Sequence, residues 1–259
     1  MLNCKVLSPL FRGFQVFNLS NLFFKIYIKQ KAIPLFIILA ILSVMISSAI
    51  SGIDIGDKSG RLFLDVTIFL QSSILTIMAI FFPLNYLERE SKNGVFIIPF
   101  SAGVNRKVYF SSVLISQILT LLTLFSFFLF VDLIYIFIFK IDDILIFQLL
   151  LSFLSATILI SLIISIGQYT SSLKALIYSL IIYFIGNGLD ELYIYSFQLH
   201  PDEVLQNLYL ILSKIVPNFY IFDSDKISVY PIFHSFIQIS IFSILGYLKF
   251  SKKVLKVEN

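Results

Sequence analysis

The sequence is poor in charge and in cysteine, and it contains no tryptophan. Charged residues make up 13% of its 259 positions, whereas soluble domains carry about a quarter. Hydrophobic residues make up 58%, and the mean hydropathy is +0.96. The one cysteine, Cys4, cannot form an internal disulfide, which argues against redox chemistry. The scarcity of charge excludes a soluble globular domain and predicts a protein with several membrane-spanning helices.

Motifs of catalysis and of metal binding are also missing from the sequence. Its two histidines, His200 and His234, lie far apart, and no Ser-His-Asp, Cys-His or zinc-helix pattern is found. His200 has only Asp202 and Glu203 as close potential ligands, a weak metal signal without a cysteine or a second histidine. We therefore expect no catalytic centre, no cofactor and no metal. We also expect no nucleic-acid partner, because the net charge of +4 arises from basic flanks of apolar runs.

Six apolar runs approach the roughly 20 residues that a membrane-spanning helix needs. They cover residues 33–50, 64–84, 108–131, 144–166, 175–189 and 232–248. We predict an all-α membrane protein with six spans in a transmembrane domain of residues 32–249, followed by a basic tail of residues 250–259.

Residues 1–31 precede the first apolar run and have an amphipathic pattern. Basic residues alternate there with apolar residues at spacings of three and four. The apolar positions are Phe11, Phe14, Phe17, Leu22, Phe23, Ile26 and Tyr27. The pattern predicts a helix that lies on the inner leaflet of the membrane.

Basic residues are divided unequally between the two sides of a six-span topology. With a cytosolic amino terminus, 14 of the 19 lysines and arginines lie on the cytosolic side. The other five are Lys58, Arg61, Lys140, Lys214 and Lys226. Cytosolic loops carry such an excess of positive charge. We therefore predict that both termini are cytosolic and that the chain lies in the cytoplasmic membrane.

Two acidic residues lie near the predicted outer ends of spans. Asp132 follows the third apolar run, and Asp65 begins the second one beside Arg61. An acid inside a membrane is a functional candidate. Because Tyr135 stands beside Asp132 at the predicted interface, we instead expect Asp132, like Asp65, to be simply hydrated there.

Residues 190–231 form the longest predicted outer loop. An amphipathic helix is predicted within it from the apolar positions Val204, Leu205, Leu208, Leu210, Ile211 and Leu212. Asp202 and Glu203 suit the positively polarised start of such a helix. We expect this helix to lie on the outer leaflet.

Residues 85–107 form a charged island between the second and third apolar runs. Charge is unfavourable inside a bilayer, and the six-span topology derived from the basic residues places the island in the cytosol. The charged residues that frame it are Glu88, Arg89, Glu90 and Arg106, and the apolar centre comprises Val95, Phe96, Ile97, Ile98, Pro99 and Phe100. The pattern predicts a short helix that lies against a partner, or else a plain loop whose centre dips into the inner leaflet.

The island resembles the loop between the second and third spans of ABC-type-2 exporter permeases, a family that includes permeases linked to copper-oxidase maturation. The matching residues are Glu88, Arg89, Glu90, Gly94, the apolar run, Pro99 and Arg106. The later lysine of the family pattern is missing, because Ser111 and Ser112 stand near its place. The turn at residues 217–219, Pro-Asn-Phe, also resembles a turn before the last span of these permeases.

The resemblance implies six spans, an N-terminal elbow helix, a second permease copy or homologue, and a separate ATPase subunit. It implies that residues 94–100 enter a groove of that ATPase, while Glu88, Arg89, Glu90 and Arg106 set the orientation by charge complementarity. The expected activity is export of a peptide, drug, lipid or other amphiphile. The alternatives are a membrane enzyme or assembly factor without an ATPase partner, and a secondary transporter.

Overall fold

The computed structural model describes residues 8–27, 33–51, 59–93, 100, 103–139, 144–199, 202–223 and 229–252. These residues form helices and short connections, and no β-strand occurs among them. The predicted all-α class is therefore confirmed for the described part of the chain.

Nine α-helices lie in the described residues. They are α1 Ser8–Tyr27, α2 Ile33–Ser51, α3 Ser59–Asn93, α4 Arg106–Phe139, α5 Ile144–Gly167, α6 Ser172–Asn187, α7 Leu189–Tyr193, α8 Glu203–Ile215 and α9 Tyr230–Lys252. A π-helical turn, Ile194–Leu199, continues α7, and a 3-10 turn, Tyr220–Asp223, precedes α9. Each of the six predicted apolar runs lies on a helix, although the fifth run extends past the break at Gly188 to Leu189.

Four helices in the described residues are long and apolar enough to cross a membrane. They are Leu62–Glu90, Arg106–Ile134, Ile146–Gly167 and Tyr230–Lys252. A fifth span results if Ser172–Asn187 and Leu189–Leu199, which are bent by 48°, form one broken span. Pro34–Ile50 is apolar but shorter. The described chain thus has the helices of a multi-pass membrane protein, with four to five spans by this measure.

Helix α5 forms the centre of the bundle. Its sequence is apolar on all sides, as expected for a helix surrounded by others, and 78% of its spanning segment is buried. Helices α3, α4, α6 and α9 all pack against it. Only 17% of the spanning segment of α9 is buried, so most of α9 faces outward.

Helix α1 forms within the predicted N-terminal segment and packs along α4. The Ser112 hydroxyl lies 3.2 Å from the Val16 carbonyl oxygen, although the Val108 carbonyl of its own helix is closer at 2.6 Å. The Phe23 ring meets the Tyr109 ring edge-on at 5.7 Å. These contacts fix α1 to the bundle. Its predicted position flat on a leaflet stays a prediction.

Helix α8 confirms the helix predicted in residues 190–231. The Asp202 carboxylate accepts a hydrogen bond from the Val204 N–H (2.9 Å) and so caps the start of the helix. The exposed side of α8 carries a stripe of apolar residues, namely Val204, Leu208, Ile211 and Ile215. Contact of this stripe with the outer leaflet stays a prediction.

Candidate functional site

Helix α3 connects two regions of the molecule that carry polar and aromatic side chains. One is the base of residues 85–107, where α3 ends and α4 begins; this end of the bundle is called the loop end. The other is a cleft beside the first half of α3, toward the opposite or far end. The antiparallel course of the helices places the end of α5 and the end of α9 at the loop end as well.

Tyr109 is the centre of the loop end and is 1% exposed. Its hydroxyl lies 3.2 Å from the Tyr86 hydroxyl on α3. The Phe250 ring of α9 stacks on Tyr109 at 5.7 Å, and the Phe100 ring lies 5.2 Å away. Together with Phe23 of α1, these rings form the Tyr109 cluster. The cluster joins α1, α3, α4 and α9 to the last part of the charged island.

A tight turn leads from the island into α4. Gly103 has a φ of +78°, a backbone conformation that favours glycine, and its N–H donates to the Phe100 carbonyl (3.0 Å). The Asn105 side chain accepts from the Lys107 N–H (3.0 Å), which caps the start of α4. Arg106 then donates a hydrogen bond to the Ser251 carbonyl of α9. The start of α4 is thereby fixed to the end of α9.

The predicted docking residues that the structure describes face different environments. Glu88 is exposed, and Arg89 and Arg106 are half-buried, whereas Glu90 is only 3% exposed. Phe100 is partly buried against the protein's own core. Gly94, Val95, Phe96, Ile97, Ile98 and Pro99 lie outside the described residues. Of the two acidic docking residues that the structure describes, Glu88 is therefore the more accessible.

The cleft has a volume of about 420 Å³ and lies between α3, α5, α6 and the segment before α9. Its aromatic walls are Phe69, Tyr183, Phe219 and Phe222. Its polar lining consists of Ser72, Ser73, Thr76, Ser152, Ser155 and Asn187, and Ile77 completes it. Its volume lies within the range of small-molecule sites, and its lining is more polar than that of most such sites, because six of the eleven lining residues are Ser, Thr or Asn.

Most polar groups of the cleft already donate their hydrogen to their own helix. Ser72 and Ser73 both donate to the Phe69 carbonyl at 2.9 Å. Thr76 donates to the Ser72 carbonyl and Ser152 to the Gln148 carbonyl, both at 3.0 Å. A hydroxyl oxygen that donates in this way still has lone pairs to accept a hydrogen bond. The cleft therefore presents mainly hydrogen-bond acceptors.

The Pro-Asn-Phe turn at residues 217–219 packs against α6 and closes one side of the cleft. A β-carbon at Gly186 would lie 2.3 Å from the Pro217 carbonyl oxygen and 2.7 Å from the Phe219 ring. Only glycine permits this approach of turn and helix. The Phe219 ring in turn lies edge-on to Tyr183 at 4.9 Å. The turn that supported the family resemblance is thus a structural wall of the cleft.

The expectation that Asp132 is simply hydrated is wrong. Asp132 is 1% exposed and Gln71 is fully buried, and the Gln71 amide donates to the Asp132 carboxylate at 2.9 Å. The pair joins α3 to α4, and burial of the carboxylate is stabilised by the amide donor. Asp65, by contrast, is exposed as expected. Sequence position near a span end predicted hydration for both but did not reveal which one faces the neighbouring helix.

The weak metal signal around residue 200 gains no further ligands among the described residues. Asp202 serves as the cap of α8, while His200 lies outside the described residues. His234 lies between the rings of Phe222 and Tyr230, each 6.1 Å away. Among the described ranges, no group of three or more His, Cys, Asp or Glu residues is close enough to hold a metal ion.

Sequence reasoning did not predict the cleft. The sequence signal was nevertheless present on α3, where Gln71, Ser72, Ser73 and Thr76 interrupt an apolar run. Gln71 faces α4 and bonds to Asp132, whereas Ser72, Ser73 and Thr76 line the cleft; polar side chains of this kind are common where helices meet within a membrane bundle. Their partners on α5 and α6 are distant in sequence, so the cleft itself was visible only in three dimensions.

Comparison with known proteins adds no family assignment. No model of a protein family matches the chain, and no curated protein matches its sequence. The composition and the fold therefore define the class: an all-α protein whose described helices include four to five that can cross a membrane.

Proposed function

We propose that this chain is the permease subunit of an ABC exporter and that ATP is hydrolysed in a separate subunit. The observation that supports this most is the arrangement along α3. The base of the charged island, held by the Tyr109 cluster, lies at one end of this helix, and a ligand-sized cleft lies further along it. The resemblance of residues 85–107 to exporter permeases supplies the identity of the partner. A protein of this type needs both a docking surface for the ATPase and a binding site for its cargo.

The proposed topology has six spans, with α2 as the first and α6 with α7 as a broken fifth span. Both termini and the loop end lie in the cytosol of a cytoplasmic-membrane protein, and the cleft opens toward the outer half. Helix α1 is the elbow helix at the inner leaflet. A second copy or homologue completes the transporter, and the exposed apolar side chains of α2, such as Ile38 and Met45, face that copy or lipid.

Movement of the ATPase subunits would reach the cleft through α3. Thr76 lies about 18 Å from Glu88 along the axis of α3, at a rise of 1.5 Å per residue. At the loop end, the Tyr109 cluster and the hydrogen bond from Arg106 to Ser251 hold α3, α4 and α9 together. A displaced loop would therefore shift these helices as a group, as in rigid-body switching, and change access to the cleft.

A secondary transporter is the alternative that one observation favours. A buried acid such as Asp132 in a membrane bundle is typical of ion-coupled transport. The two functions differ in their energy source. Uptake by vesicles that requires ATP and continues after the proton gradient is collapsed supports the exporter, whereas uptake driven by the gradient alone supports the alternative.

The docking role is tested by Phe96→Asp, since a buried charge should break an apolar contact with the ATPase. We expect ATP-hydrolysing activity to co-purify with the wild-type chain from native membranes and to fall at least tenfold, the equivalent of about 1.4 kcal/mol, with the variant. Lys214→Glu on α8 is the matched control and should retain the activity. Equal activity with Phe96→Asp would refute docking through the island.

A further inference from the structure

The hydrogen-bonding pattern of the cleft restricts what kind of polar group it can bind. The hydroxyls of Ser72, Ser73, Thr76 and Ser152 donate to backbone carbonyls of their own helices. The Asn187 amide nitrogen likewise donates to the Tyr183 carbonyl (3.0 Å). What the four hydroxyls offer a ligand is the lone pairs of their oxygens, while Asn187 offers its amide oxygen and its second N–H. The five groups therefore present more acceptors than donors, which favours a group that brings its own hydrogen-bond donors.

Among groups that bring their own hydrogen-bond donors, the aromatic walls of the cleft favour a cation. The rings of Phe69, Tyr183, Phe219 and Phe222 line it, and the face of an aromatic ring attracts an ammonium group. None of the described lining residues carries a formal charge. A carboxylate or phosphate would need donors, and those left in the described lining are the Ser155 and Tyr183 hydroxyls and the second N–H of Asn187. An ammonium group finds acceptors and rings on several sides.

We propose that the cleft binds the protonated amine head of an amphiphile. The volume of about 420 Å³ holds the head and the first part of an apolar tail, and the outward-facing Phe69 and Ile77, which are 69% and 59% exposed, continue the apolar path along α3. Serine and threonine oxygens on α3 and α5, with the Asn187 amide oxygen, accept from the ammonium. The role of this ligand as exported cargo rests on the proposed function, but its binding does not.

The lack of tryptophan in the chain provides a direct binding assay. Phe69→Trp places a single tryptophan at the edge of the cleft, and Phe236→Trp places one at a similarly exposed position on α9, with wild-type exposures of 69% and 64%. Each variant is purified and placed in bilayer discs of neutral phospholipid at pH 7. The probes are an alkylamine and an alkyl carboxylate with identical brominated tails, which quench tryptophan on contact.

We expect the amine to quench Phe69→Trp saturably and at concentrations at least about tenfold lower than the carboxylate. A difference of this size corresponds to one charge-assisted hydrogen bond that the amine makes and the carboxylate does not. The Phe236→Trp variant reports partitioning into lipid and should show no such preference. Equal quenching by the two probes at Phe69→Trp, or the same amine preference at Phe236→Trp, would overturn the proposal.

Further variants in the Phe69→Trp background locate the binding groups. A double variant, Ser73→Ala with Thr76→Val, should weaken amine binding about tenfold. Ser240→Ala is the matched control, because Ser240 makes the same type of bond to a helix carbonyl (2.7 Å) outside the cleft. Asn187→Asp adds negative charge and should tighten amine binding while weakening carboxylate binding. Unchanged amine binding in the Ser73→Ala, Thr76→Val double variant and in Asn187→Asp would contradict the assignment.

The outcome separates this proposal from the proposed function. If the amine preference is found but no ATPase activity co-purifies, the exporter is refuted and the amine site remains. If ATPase activity co-purifies but the carboxylate binds as well as the amine, the exporter remains and the head-group assignment is refuted.

Discussion

At the scale of single residues, small side chains and paired polar groups determine how closely the helices approach. Gly186 allows the Pro217 carbonyl to lie against α6. Gly246 allows α9 to approach α5, because a β-carbon added at Gly246 would lie 2.8 Å from the Ser165 hydroxyl oxygen. The Gln71 amide donates one hydrogen bond to the Asp132 carboxylate across the contact of α3 and α4, while Gln71 Oε1 and Asp132 Oδ2 are buried without a hydrogen-bond partner in the described part of the chain. Each of these positions has a neighbour that a substitution would disturb directly.

Gly186→Ala should destabilise the protein, because the added β-carbon would lie 2.3 Å from the Pro217 backbone oxygen. Overpacking of this kind lowers the free energy of unfolding by about 1–3 kcal/mol. The measurement is the thermal unfolding midpoint of the purified chain in detergent. Gly188→Ala is the control, because the nearest atom there is 3.5 Å away, an ordinary contact. Equal midpoints for both variants would contradict the close approach of the turn to α6.

The Gln71–Asp132 pair predicts a non-additive pair of substitutions. Gln71→Leu removes the amide donor from a buried carboxylate and should lower the free energy of unfolding by about 1–3 kcal/mol. Adding Asp132→Leu removes the acid that was left without this donor, so the double variant should recover part of the loss. Chemical unfolding of the two single variants and the double variant gives the coupling energy. Strictly additive losses would show that the two side chains do not interact.

At the scale of helices, the sequence predicted the elements well and their pairing poorly. Helix α5 was predictable because its run is apolar on every side, and α8 because Asp202 precedes an amphipathic segment. Gln71 and Asp132 are 61 positions apart, and no periodic signal in the sequence pairs them. The cleft likewise depends on α3, α5 and α6 meeting. Local patterns determine a helix, whereas the choice of its neighbours depends on packing of the whole bundle.

Phe250 connects α9 to the loop end and provides a test at this scale. Its ring is buried and stacks on Tyr109, so Phe250→Ala should lower the free energy of unfolding by about 3 kcal/mol or more. Hydrogen exchange of the backbone near residues 103–110 should also accelerate, because the Tyr109 cluster loses a ring. Leu248→Ala, at a position 49% exposed on the same helix, should change neither quantity appreciably. Equal effects of the two variants would place Phe250 outside the cluster.

At the scale of the whole molecule, the bundle has a buried centre and an apolar outer surface. Helix α5 fills the centre, while α2, α6 and α9 present large apolar side chains outward. Such a surface suits a bilayer and disfavours solution. Within this frame, α3 runs from the charged island past Pro83 to the cleft. The proposed function depends on that continuity, because the proposed partner would act at one end of α3 and the proposed ligand would bind toward the other.

The most direct test of that account is to identify what touches the island. Phe96→Cys is made in a Cys4→Ser background, which leaves one thiol, and a thiol-to-amine crosslinker is applied in native membranes. We predict a crosslinked product that mass spectrometry identifies as an ATPase with a Walker nucleotide-binding motif. Lys214→Cys on α8 should give no such product. Crosslinking of Phe96→Cys to lipid or to this chain alone, with no ATPase, would contradict the account.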